Sequence, residues 1–141
     1  MAAFVDTNIL FYAFADTSEQ SIDKSALAKA LIVALTDRNE LVLSAQVLGE
    51  FAANSMKKAN PPLPPAEIAS IVDQLSGQDV IAINASLVQL ALRRVEQSRI
   101  SYWDALIVEA AISSGATILY TEDMHHGTRY GTLELRNPFL G

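Results

Sequence analysis

Ala3-Phe4-Val5-Asp6-Thr7-Asn8 is a short apolar run that ends abruptly in an acid. A strand buried on both faces shows as a continuous hydrophobic run rather than an alternating one, and such strands belong to parallel sheets covered by helices. In those sheets the ligand crevice lies beyond the carboxyl ends of the strands, which puts Asp6 at a functional edge. Asp is also a preferred N-cap, and taken alone the residue reads more simply as closing the start of a helix at Thr7.

Outward from this stretch, Thr7 to Ala15 is apolar and aromatic until Asp16-Thr17-Ser18 breaks it, which predicts a short helix and a loop. From Ser21 to Thr36, Leu27, Ala30, Leu31, Ala34 and Leu35 recur at three- and four-residue steps and predict a helix buried along that face. Leu41-Val42-Leu43 reads as a second buried strand. Ser44 follows as N-cap of a helix to Lys58, with Leu48, Phe51, Ala52 and Met56 on its apolar side and Glu50 beside them. Asn60-Pro61-Pro62-Leu63-Pro64-Pro65 is a stiff connector, because proline lacks the amide donor and restrains the residue before it. Pro65 suits the first turn of a helix reaching Leu75.

Gly77 closes that helix, and Val80-Ile81-Ala82-Ile83 makes a third strand. Asn84 caps a helix from Ala85 to Gln97 that turns Leu87, Leu90, Ala91 and Val95 inward and Arg93 and Arg94 outward. Tyr102 to Ser114 is apolar almost all round, which predicts a central helix with Tyr102 and Trp103 in the core and Asp104 in its first turn. Gly115 ends it. Thr117-Ile118-Leu119-Tyr120-Thr121 is the fourth strand with Glu122-Asp123 at its carboxyl end, and a fifth spans Leu133 to Arg136. Strands separated by helical stretches of this length predict an α/β sandwich on a mainly parallel sheet.

The chain has 141 residues, half of them hydrophobic, enough for one domain with a real core. A single domain over 1–141 is expected. The apolar runs stop short of a membrane span and the first residues lack a signal-peptide layout, so a soluble, cytoplasmic protein without membrane contact is expected. Absence of cysteine excludes disulfides, thiol catalysis and cysteine zinc sites. The balance of 10 Lys+Arg against 16 Asp+Glu gives a net charge of −6, contrary to a simple nucleic-acid binder. A carboxylate cluster holding divalent cations would account for much of that deficit, since bound ions reverse the local sign.

Such a cluster is available. Asp6 and Asp123 follow buried strands at the same end of a parallel sheet, and Glu50 and Asp104 sit in the first turns of helices that start near it. Oxygen-only ligands suit Mg²⁺ or Mn²⁺. Each acid also has a plainer reading. Asp104 has capping-box spacing from Ser101, Glu50 fits a solvated helix face, and Asp123 fits a turn.

Phe4-Val5-Asp6-Thr7-Asn8-Ile9-Leu10, Glu50 in Gln46-Val47-Leu48-Gly49-Glu50-Phe51, Tyr102-Trp103-Asp104-Ala105-Leu106-Ile107, and Leu119-Tyr120-Thr121-Glu122-Asp123-Met124 followed by Gly127 resemble the four signature blocks of PIN-domain ribonucleases, most closely the VapC kind of toxin. The resemblance runs through to Asn137-Pro138-Phe139. It implies a three-layer α/β/α sandwich on a five-stranded, mainly parallel sheet. It also implies a metal-dependent endoribonuclease acting as the toxin of a toxin–antitoxin pair. Asp6, Glu50, Asp104 and Asp123 would hold Mg²⁺ or Mn²⁺, with Asn8 and Thr121 as supporting polar residues. The implied partners are an RNA substrate, a cognate antitoxin and a second copy in a homodimer.

Other readings are a housekeeping RNA-processing nuclease, and a non-catalytic metal-binding or protein-interaction module on the same sheet. A receiver-like module would need paired acids near Asp6 and a lysine after the last strand, and neither is present. His125-His126 reads as a surface loop, Lys57-Lys58 as a complement to the carboxyl end of their helix, and Arg93, Arg94 and Arg99 as solvated helix charges.

Overall fold

Ala3, Phe4 and Val5 are all buried in strand β1 (Ala3–Val5). Successive strand residues point to opposite faces, so both faces of the sheet are covered at this strand. The computed structural model describes residues 1–140, and over these the order is β1, α1 (Thr7–Phe14), α2 (Ile22–Asp37), β2 (Leu41–Ser44), α3 (Ala45–Lys57), α4 (Pro65–Leu75), β3 (Asp79–Ile81), α5 (Ala85–Ser98), α6 (Tyr102–Ser113), β4 (Ile118–Tyr120), β5 (Arg129–Tyr130) and β6 (Leu133–Arg136). A single 3₁₀ turn, Glu19–Ser21, precedes α2.

The strands form one sheet in the order β3-β2-β1-β4-β6-β5, parallel throughout except for β5 against β6. The chain builds outward from β1 to β2 and β3, then returns to place β4 on the other side of β1. That reversal is a topological switch point, and the crevice there opens beyond the carboxyl ends of β1 and β4. Val5 pairs with Tyr120, so Asp6 and Thr121 leave the sheet side by side. Helices flank the sheet, α1 packing on α2 and α3, and α5 on α6.

Local sequence explains the element starts. Ser44 accepts a hydrogen bond from Val47 N, Asn84 from Leu87 N and Ser101 from Asp104 N, each an N-cap that satisfies a free amide of the first turn. Pro65 opens α4, where a missing amide costs nothing.

The described residues form six strands rather than five. The sixth, β5, is a two-residue arm of a hairpin whose loop is Gly131-Thr132, with Gly131 at φ +63°. Glycine in the left-handed region is what a two-residue hairpin turn asks for, and a strand this short leaves no periodic trace. The third strand is Asp79–Ile81, one residue earlier than the apolar run and without Ala82 and Ile83.

Several side-chain placements also differ from expectation. In α2 the buried residues are Ala28, Ile32 and Leu35, while Leu27 and Ala30 face solvent. Apolar residues surround this helix, so their spacing does not choose a face. Met56 and Leu90 are exposed rather than buried, each lying at the margin of its helix's apolar stripe. Arg94 is not solvated: it reaches Glu109 at 3.4 Å, a glutamate in α6 that is only 8 % exposed, and it stacks over the Tyr130 ring at 5.0 Å. Trp103 is not in the core but 60 % exposed, because the first turn of α6 emerges at the sheet edge before the helix becomes central.

Candidate active site

The carboxyl end of β1 delivers Asp6, which is 4 % exposed. Its Oδ1 accepts from Thr7 N at 2.7 Å and its Oδ2 from Thr121 Oγ1 at 2.7 Å. Asp6 is therefore an N-cap of α1 and also a carboxylate of the crevice, so the two readings of this residue hold together. Burial pushes its carboxyl up to about 6, the bonds from Thr121 and Thr7 pull it down, and the charges of Asp123 and Glu50 raise it again.

The other acids arrive from three directions. Glu50 projects from the second turn of α3, with Oε1 held by Thr7 Oγ1 at 2.7 Å and Oε2 by Gln46 Nε2 at 3.1 Å. Asp123 follows β4. Asn8 Nδ2 donates to its Oδ2 at 2.9 Å, and its own amide donates to Thr121 Oγ1 at 3.2 Å. Asp104 lies in the first turn of α6 and is raised above the ordinary aspartate range, chiefly by burial and further by Asp123 and Glu50, with Ser101 opposing. Asp6, Glu50, Asp104 and Asp123 line one cavity of about 560 Å³, together with Asn8. Thr121 is fully buried and acts from behind, joining Asp6 to Asp123.

The donor set offered to a ligand is therefore all oxygen. Among the described residues no three acidic or histidine side chains come close enough to surround one ion. Asp6 and Glu50 each hold two hydrogen bonds and Asp123 one, so like charges sit apart at fixed positions. An open site of this kind fits Mg²⁺, which keeps several waters and uses one or two carboxylates plus substrate phosphate, better than a closed all-protein cage. The acids on the cavity wall identify which side chains could take that part.

Several wall residues escaped the sequence reading. Thr7 positions Glu50 although it looked like a helix start, and Gln46 does so from one turn earlier. Glu122 also faces the cavity, but Tyr12 Oη donates to it at 2.6 Å and Lys24 pairs with it, so its charge is spoken for. Lys58 lines the same cavity as a cation among carboxylates. His125 and His126 are exposed, and His126 Nδ1 accepts from the Asn137 amide at 2.9 Å.

The fold has counterparts among solved structures. The toxin VapC20 of Mycobacterium tuberculosis, which cleaves the sarcin-ricin loop, superposes with a TM-score of 0.64 at 22 % identity, over 86 % of this chain and 90 % of that one. VapBC2 of Rickettsia felis, bound to a DNA fragment from its promoter, gives 0.65 at 24 % identity over 97 % and 98 %. A toxin–antitoxin complex from Klebsiella pneumoniae gives 0.71 at 17 % identity over 98 % of both. At these identities the likeness is one of fold. No curated protein matches the chain. The PIN domain model matches residues 3–127, from the strand that presents Asp6 to the glycine beyond Asp123, and the chain therefore belongs to the PIN domain family.

Proposed function

We propose that this chain is a metal-dependent endoribonuclease that acts as the toxin of a toxin–antitoxin pair. The observation that carries the reading is the lining of one switch-point crevice by Asp6, Glu50, Asp104 and Asp123 in a PIN-domain chain. Mg²⁺ or Mn²⁺ bound by these carboxylates would supply Lewis acidity for attack of water on an RNA phosphodiester, leaving a 5′-phosphate and a 3′-hydroxyl.

In this reading the chain's own residues do the positioning. Asp6 and Asp104 are metal ligands whose raised affinity for protons reflects burial and crowding with like charge, the condition a cation relieves. Thr121 and the Thr7 amide fix the rotamer of Asp6, Asn8 that of Asp123, and Thr7 with Gln46 that of Glu50. Such supporting bonds orient ligands so that less reorganisation accompanies the reaction. The partners proposed are RNA, a cognate antitoxin and a second copy of the chain, in the cytoplasm. Support for the antitoxin comes from the fold's likeness to toxin–antitoxin complexes of Rickettsia felis, Klebsiella pneumoniae and Salmonella typhimurium. No described helix is long and apolar enough to cross a membrane. We propose one PIN unit over 1–141.

Mapping the 5′ ends of cellular RNA after a pulse of expression tests this directly. New ends at defined sites that vanish in Asp104→Asn are expected. Ends identical in the variant and the parent sink the proposal. Cleavage confined to precursors of stable RNA, with no growth arrest, would move the chain to the housekeeping class.

A further inference from the structure

The single tryptophan of the chain stands exposed at the mouth of the acidic crevice. Beside it opens a second cavity of about 420 Å³, lined by Trp103, Gln46, Gly49, Glu50 and Ala53, which shares Trp103, Glu50 and Ala53 with the first. The two spaces form one continuous surface, a shallow and open slot leading to the carboxylates. Gln46 ties them mechanically, its Nε2 donating to Trp103 O and to Glu50 Oε2, each at 3.1 Å.

The slot's floor is low beside the indole. Gly49 and Ala53 are exposed and lie one helical turn apart on α3, so both project to the same side. Glycine is the poorest helix former after proline. Here nothing in the chain requires it: its φ is not positive, and a Cβ added at Gly49 would meet no atom within 4 Å. The surface above Gly49 is therefore open to solvent. An indole beside a floor that carries only a hydrogen at Gly49 and a methyl at Ala53 leaves room for a flat ring.

We propose that Trp103 is a stacking platform for an unpaired nucleobase next to the phosphate held by the carboxylates. This rests on the nuclease reading above and makes the substrate single-stranded or looped RNA, since a base paired in an A-form helix cannot reach an indole. Position selects a base over an apolar side chain of a protein partner. Trp103 and Asp104 line the same crevice, so a nucleotide whose phosphate lies at Asp104 has its base within reach of the ring. Stacking also tolerates the negative field of this crevice, because the base itself is neutral. Base–aromatic stacking is largely blind to sequence, so the slot sets strand form rather than base identity.

The test uses the full chain, single-stranded RNA oligonucleotides and Mg²⁺, with two readouts. In the Asp6→Asn background the RNA should quench Trp103 fluorescence, a signal independent of cleavage. Absence of quenching overturns the stacking proposal whatever the cleavage result. Quenching without any cleavage by the parent protein supports the platform and removes the nuclease reading instead. With cleavage present, Trp103→Ala should raise KM roughly 5- to 100-fold with little change in kcat, and Trp103→Phe should restore most of it. Gly49→Leu, which fills the floor beside the indole, should reproduce the loss. An abasic nucleotide beside the cleaved bond should weaken the parent by a similar factor and Trp103→Ala hardly further, the non-additivity expected of a shared contact. Equal abasic penalties in both proteins, or an unchanged KM in Trp103→Ala, would assign the indole to a protein partner and overturn the proposal.

Discussion

Thr121 Oγ1 donates to Asp6 Oδ2 at 2.7 Å while accepting the amide of Asp123 at 3.2 Å, so one buried hydroxyl holds two acids that are 117 residues apart. The bond exists because β1 and β4 are neighbours and Val5 pairs with Tyr120. Thr121→Val keeps the shape and removes the hydroxyl. Buried carboxylate Oδ2 then lacks its donor, which should destabilise the protein by ~1–3 kcal/mol in urea titrations. Cleavage should drop about 10- to 100-fold, the usual effect of removing a group that orients a ligand. Thr121→Ser should recover most of both, and a Val variant with parental stability and rate would dismiss the hydroxyl.

The metal-free protein should be more stable in mild acid than at neutral pH, on account of Asp6. Its folded carboxyl is raised to about 6 from 3.8, so the folded state binds this proton more tightly than the unfolded chain. Above about pH 7 the charged form is fully present and its penalty constant; as pH falls through 6 toward 4 the penalty is relieved. A shift of this size corresponds to about 3 kcal/mol. Asp6→Asn should therefore raise Tm at pH 7.5 in chelator, erase most of the gain between pH 7 and 4.5, and abolish cleavage. A parent whose Tm is flat across that window, or falls, contradicts the assignment.

Divalent ions should stabilise the fold by mass action, because the unfolded chain has no gathered acids. At a hundredfold excess over Kd the gain is about 2.7 kcal/mol, read as several degrees in Tm. Binding needs deprotonated carboxylates, so the shift should shrink as pH falls through about 6. Asp104→Asn and Asp123→Asn should each reduce it. A Tm equal in Mg²⁺ and in chelator at pH 7.5 would count against an ion in the crevice.

Arg94 and Glu109 form a pair away from the crevice that is mostly withdrawn from water. Arg94→Ala leaves the glutamate buried without a partner, and the cost should approach about 3 kcal/mol, with Glu109→Gln in the same background recovering much of it. A loss below about 0.5 kcal/mol would show that water reaches Glu109.

Much of this was legible in the chain itself. Ser44, Asn84 and Ser101 announce the starts of three helices because capping is a local interaction, and the buried strands show as unbroken apolar runs. Asp6, Glu50, Asp104 and Asp123 could be placed at one edge since a parallel sheet gathers its carboxyl ends, and they line one cavity. What escaped depends on contacts between distant segments. The partner of Arg94 comes from another helix, Trp103 is exposed by where α6 enters the sheet edge, and the buried side of α2 is chosen by α1. The hydroxyl of Thr7 gives no sign in sequence that it serves Glu50.

β4 pairs beside β1 although α1 through α6 lie between them in the chain, so the crevice needs both the first strand and the fourth to be complete. A nascent polypeptide still lacking that strand carries Asp6, Glu50 and Asp104 but neither Thr121 nor Asp123, and so lacks one wall of the crevice. The order of the strands alone thus keeps the four carboxylates from being gathered until synthesis has passed Asp123.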